Sequence, residues 1–142
     1  MHGRRHFLTM VGAATTCALH VGCSDDDGAT TNPMAGTNAK DIAVGSLGIF
    51  STGVILGRDS GGLYAMTSVC THQQCDMSKD GKISAAGLSC ICHGSRFGAT
   101  GLVLDGPAKA PLKHFRVDVA ADGKITVQST VVDAAVRTPV PT

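Results

Sequence analysis

The chain has no tryptophan, no glutamate, one tyrosine and no extended run of lysine and arginine. Each absence narrows the field. Without tryptophan, and with only four phenylalanines, the core must be aliphatic, built from Val, Leu, Ile and Ala. Every acidic residue is aspartate, and long amphipathic helices favour glutamate, so the composition leans toward strands. The net charge of +1 gives nucleic-acid binding no electrostatic support. No apolar stretch reaches the roughly 20 residues of a membrane-spanning helix.

What is abundant points the same way. Eighteen glycines among 142 residues indicate a turn-rich, mainly β chain, and 43% apolar residues permit a real core. The length suits one domain with tails. Six cysteines are many for this length. Cys17 and Cys23 lie near the start, while Cys70, Cys75, Cys90 and Cys92 share the body with His72 and His93. Cysteine interleaved with histidine suggests a metal site before a disulfide framework.

Residues 1–23 read as an export signal: a charged start, an apolar middle, then polar residues. "RRHFLT" resembles the twin-arginine signature through Arg4, Arg5, Phe7 and Leu8, although Gly3 and Thr9 depart from it. That route carries folded proteins and so suits a chain that receives its cofactor before export. "LHVGC" resembles a lipoprotein cleavage box, with His20 as the misfit, which would make Cys23 a lipidated N-terminus and a membrane tether. Residues 24–38 are small and polar, contain Pro33 and read as a linker. A domain is expected over residues 39–129, followed by a tail over 130–142 in which two prolines limit regularity.

The body breaks into short β-prone runs: "DIAVGSLGIF", "GVILGRD", "GLYAMTSV", "LKHFRVDVA" and "KITVQST". "RDSGGLY" and "ADGKI" are hairpin signals. In the fourth run Phe115, Val117 and Val119 alternate with His114, Arg116 and Asp118, so His114 is expected on the solvent face. The expectation is an all-β fold, a small antiparallel barrel or sandwich. Between "GLYAMTSV" and "LKHFRV" lies an insertion with all four body cysteines, the arrangement of a loop site on a rigid scaffold.

Two clusters carry the chemistry, "CTHQQC" (70–75) and "CICHGSRF" (90–97). Cys70 and His72 fall on one face of an extended loop. Cys90 and His93 are spaced so that a tight turn aims both at one centre. Cys90 and Cys92, two residues apart, are read as having different jobs. Cys75 and Cys92 are left over. The C-x-H and C-x-x-H half-motifs, their order and the following "HGS" resemble the Rieske iron–sulfur family over roughly residues 42–128.

The resemblance implies a 2Fe–2S cluster, with Cys70 and Cys90 on one iron and His72 and His93 on the other. It implies a Cys75–Cys92 disulfide, as in the high-potential branch that includes cytochrome bc-type complexes and the small subunit of arsenite oxidase. An exported domain is where such a bond persists. Ser95 matches a serine that donates a hydrogen bond to cluster sulfur and raises the potential. Phe97 stands where the highest-potential members have tyrosine, which implies an intermediate potential. "GPAKAP" (106–111), with Gly106 and Pro107, resembles the loop that covers the cluster's third side. Histidine on the outer iron couples electron uptake to proton uptake.

The function implied is one-electron transfer in an exported redox protein or redox subunit. Its partners would be a cytochrome, a quinol-oxidising complex or a molybdenum-type oxidoreductase, with no nucleic acid involved. An alternative is a Rieske ferredoxin feeding a ring-hydroxylating dioxygenase, although such ferredoxins usually lack the signal and the second cysteine pair. A terminal oxygenase would need a further iron domain, for which about 90 residues leave no room. A structural zinc module also suits Cys₂His₂, but leaves "HGS" and the spare cysteines unexplained.

Overall fold

The computed structural model describes residues 34–142. The signal, the linker up to residue 33, Cys17 and Cys23 lie outside the described residues. A short 3₁₀ turn at Ala39–Asp41 precedes nine strands: β1 (Leu47–Ser51), β2 (Val54–Asp59), β3 (Gly62–Thr67), β4 (Gly81–Ser84), β5 (Gly87–Cys90), β6 (Arg96–Gly98), β7 (Val103–Asp105), β8 (His114–Val119) and β9 (Ile125–Val132). They form two antiparallel sheets. The base sheet has the order β1-β2-β3-β8-β9, and the smaller sheet the order β4-β5-β6-β7. Strand β3 pairs directly with β8 through Ala65↔Phe115 and Met66↔His114. Residues 68–113 are therefore an insertion, as the sequence implies, but one with its own four-stranded sheet beneath its loops.

The base sheet is buried on both faces near its centre, which explains why β3 has no polar side. Leu63 and Ala65 join Leu56, Val117, Ile125, Ile42 and Met34 in one core. Tyr64 and Met66 join Ile55 and meet Ile83, Leu88 and Phe97 of the smaller sheet in a second. The row Ile83, Leu88, Phe97 and Val103 runs across the inner face of β4 to β7. Each fully buried aliphatic side chain contributes about 1.5–3 kcal/mol, so the second core clamps the insertion to the base. Gly57 lies opposite Tyr64, and a Cβ there would collide with the ring. The space it leaves lets the Tyr64 hydroxyl donate to the Ala99 carbonyl at 3.0 Å, tying the sheets together.

Two expectations are adjusted at the edges. Met34 is buried and its N–H donates to Ile49 O at 2.6 Å, so folded structure begins ahead of residue 39. Strand β9 runs through Val132, past residue 129, and Thr138 bridges Leu63 in the segment that follows. Arg137 anchors this segment, donating from Nε to Asp59 Oδ2 at 2.5 Å with its guanidinium 4.4 Å from the Tyr64 ring centre.

His114 is a correction. It is 3% exposed rather than on a solvent face. Its partner Met66 faces the second core, so the insertion covers this end of β8. Arg116 and Asp118 lie farther along the same face and stay exposed or half-exposed. Alternation identifies which residues share a face. It does not say whether a distant segment folds over that face.

Candidate metal centre

The two Cys-and-His segments fold into the same hairpin twice. In the first, Cys70 N–H donates to Cys75 O at 2.8 Å and Gln74 N–H to Cys70 O at 2.9 Å. In the second, Cys90 N–H donates to Ser95 O at 2.8 Å and Gly94 N–H to Cys90 O at 3.0 Å. The fifth residue of each hairpin reverses the chain in the left-handed region, Gln74 at φ 61° and Gly94 at φ 80°. Glycine adopts that conformation readily. Gln74 is the described non-glycine residue that does so, and its neighbours must hold it there.

A disulfide joins Cys75 to Cys92, with Cα atoms 6.7 Å apart. The sulfurs of Cys75, Cys90 and Cys92 lie within 4.8 Å of one another, and two of these are consumed by that bond. Cys70 and Cys90 remain as buried free thiols. Burial first, and then the hydrogen-bonded Cys70 thiol, pushes the Cys90 thiol above its ordinary value. A thiol held neutral in this way is deprotonated on binding a metal, which takes the place of its proton.

Two imidazoles are the further candidate donors. The His72 and His93 ring centres lie 4.9 Å apart, edge to face. The Nδ1 of His72 is buried and has no hydrogen-bond partner. A buried polar nitrogen without a partner is costly unless something outside the polypeptide satisfies it. Two free thiols, an orphaned imidazole nitrogen and a second imidazole beside it fit a centre with mixed sulfur and nitrogen donors.

A third segment braces both hairpins. Thr71 Oγ1–H donates to Ala110 O at 2.6 Å, and Ala108 N–H donates to Ser95 Oγ at 3.1 Å. Gly106 sits at φ 90° against the second hairpin, where an added Cβ would stand 2.6 Å from Gly94 O. The expected covering loop 106–111 therefore touches both hairpins. Ser95 is fully buried. It accepts from Ala108, which leaves its own proton free to donate. Phe97 is buried in the second core beside Leu88.

Sequence reasoning passed over Thr71, Gln74 and the pair Ser68 and Asp76. Ser68 Oγ donates to Asp76 Oδ1 at 2.5 Å, and Ser78 N–H donates to the same oxygen at 3.0 Å. The one available signal was Asp-x-Ser at the hairpin exit, which suits a side-chain-capped turn. The partner Ser68 becomes visible only once the hairpin closes.

Comparison with known proteins agrees with this geometry. The family model of the Rieske [2Fe-2S] domain matches residues 32–116. The cytochrome b6-f complex iron-sulfur subunit of Chlorobaculum tepidum is 33% identical over 99 residues, which is 68% of this chain and 53% of that one. The chain thus spans about half the length of that relative. Among solved structures, a chain of the complex of reduced oxygenase and oxidised ferredoxin in carbazole 1,9a-dioxygenase superposes with a TM-score of 0.50 at 25% identity. That match covers 67% of this chain and 91% of the other. The plasma membrane Rieske protein of Synechocystis PCC 6803 aligns at 31% identity with a TM-score of 0.45, covering 54% and 76%. A family match over more than half of the 142 residues, spanning both hairpins and the strands between them, makes this chain a member of the Rieske [2Fe–2S] family.

Proposed function

We propose that the chain carries single electrons, with Cys70 and Cys90 holding one iron of a 2Fe–2S cluster and His72 and His93 the other. The observation that carries this reading is the buried, partnerless Nδ1 of His72 inside the family match, together with two buried thiols that are not bonded to each other. When bound, the cluster supplies a reversible one-electron couple.

The polypeptide's work is position and tuning. The Cys75–Cys92 bridge fixes the hairpins relative to each other. His93 and the backbone of Gly94 are exposed, so a partner reaches the centre from the histidine side. Ser95 has a proton free for a cluster sulfur, a bond that favours the reduced state. Phe97 supplies no hydroxyl, and the potential settles between those of ferredoxin-type and tyrosine-bearing relatives. The physiological partners are a quinol-oxidising membrane complex and a cytochrome, in line with the b6-f subunits the chain resembles. A molybdenum-type oxidoreductase is the narrower variant of the same role. The protein is exported by its twin-arginine-like leader and tethered through a lipid on Cys23. Among the described residues no helix is long and apolar enough to cross a membrane.

The test is iron and acid-labile sulfide analysis of the purified protein, EPR of its reduced form and a redox titration. Equimolar iron and sulfide with a positive midpoint, inside the Rieske range of about −150 to +300 mV, is the expected result. A negative midpoint would make the protein a ferredoxin-type donor to an oxygenase. Zinc with no redox response would end the electron-transfer reading. Mass spectrometry of the native N-terminus tests the tether: an unmodified terminus beyond Cys23 would refute it.

A further inference from the structure

The hairpin that carries Cys70 and His72 is closed at its base by a carboxylate. Val69 and Asp76 form a bridge one step below the Cys70–Cys75 pair, and Met77 N–H donates to Ser68 O at 2.8 Å one step below that. Ser68 is fully buried. Its hydroxyl and the Ser78 N–H converge on one oxygen of Asp76. Burial alone would raise the Asp76 carboxyl. Hydrogen bonds from Ser68 and Ser78, with the Lys79 cation nearby, outweigh it and hold the group below its ordinary value. A neutral side chain could close this turn as well. The sequence instead keeps an anion there, half-buried, at the foot of the hairpin.

We infer that Asp76 is a positioning residue that also lowers the midpoint of the centre above it. The Ser68–Asp76 clamp sets the hairpin that presents Cys70 and His72. The fixed negative charge disfavours adding an electron nearby, and partial burial limits screening by salt. The inference rests on the reading that these hairpins hold the cluster.

The experiment is an EPR-monitored redox titration of the cluster-loaded protein, with thermal unfolding in parallel, for wild type, Asp76→Asn and Ser68→Ala. Asparagine keeps an oxygen for both hydrogen bonds and removes the charge. Its midpoint should rise by about three- to tenfold in the redox equilibrium, tenfold being 59 mV for one electron. Ser68→Ala keeps the charge and removes its strongest donor. Its midpoint should fall by a smaller amount while its Tm drops. Opposite signs mark a charge effect, because simple loosening of the hairpin would move both variants the same way. An Asp76→Asn midpoint equal to or below wild type overturns the charge role. An unchanged Tm and midpoint in Ser68→Ala overturns the clamp. An Asp76→Asn protein that folds without taking up iron supports positioning, and the sign of the Ser68→Ala shift then decides the charge. A wild-type protein with no redox-active cluster would instead sink the electron-transfer reading, which separates the two failures.

Discussion

Gly106 shows what a single missing side chain does near the centre. Its φ of 90° is strained for any residue with a Cβ, and the space that atom would occupy is filled by the backbone of Gly94 and Ser95. Gly106→Ala should cost about 2 kcal/mol or more, read as a lower urea midpoint, and should loosen the covering segment over the second hairpin. An unchanged midpoint would mean that the segment shifts without resistance. The tuning role proposed for Phe97 rests on what it lacks. It is fully buried, so Phe97→Tyr adds one hydroxyl to a packed site where it must find an acceptor. The expected outcome is a higher reduction potential with the fold intact. A lower or unchanged potential would count against a tuning role for this position.

The twin hairpins are the functional elements, and their shared construction explains their motifs. In each, the N–H and C=O of the first-position cysteine both close the turn, and the fifth residue is left-handed. The order C-x-H and C-x-x-H was legible in sequence because ligand spacing is local. The brace from 106–111 was legible only as a resemblance, because its bonds to Thr71 and Ser95 join residues far apart in the chain. The disulfide acts at this scale. It links cysteines 17 apart in sequence, and removing it by Cys92→Ser should cost about 2–4 kcal/mol in urea unfolding. Alkylation of the unfolded, unreduced protein should leave Cys75 and Cys92 unlabelled until a reductant is added. Free labelling of both would refute the bridge.

Across the molecule, the insertion and the base sheet share one core, and His114 lies where they meet. Leu112 O takes a hydrogen bond from its Nδ1 at 3.2 Å, and its Nε2 is buried without a partner. Burial chiefly, and the Arg137 cation in addition, hold its pKa below the ordinary 6.5. The Leu112 carbonyl and the Asp133 charge oppose them without prevailing, and the Tyr64 ring centre lies 6.2 Å away. The unfolded chain therefore binds this proton more readily than the folded one. Stability from His114 is complete above about pH 6.5 and is lost as pH falls from there toward the depressed folded value. The slope is at most about 1.4 kcal/mol per pH unit. Urea midpoints measured from pH 7.5 downward should fall in wild type and flatten in His114→Gln. A second loss belongs to Asp59 and Asp76, both held below 3.8 by hydrogen-bonding partners that outweigh burial. Their stabilisation persists above that value and disappears as pH falls through the depressed ones. Equal slopes in wild type and His114→Gln near pH 6 would mean that His114 titrates normally.

The sequence by itself determined the class of fold, the insertion and the candidate donor residues. These rest on local signals: two-residue alternation, Asp-Gly turns, and cysteine and histidine at ligand spacing within a few residues. Only the tertiary structure decided which faces are covered. It placed His114 in a core, brought the 133–140 segment back onto Leu63 and Tyr64, and set Ser68 against Asp76. The physical reason is that burial depends on which distant segment lands on a face. That is settled by the sum of many weak contacts across the chain, and no short stretch of sequence encodes it.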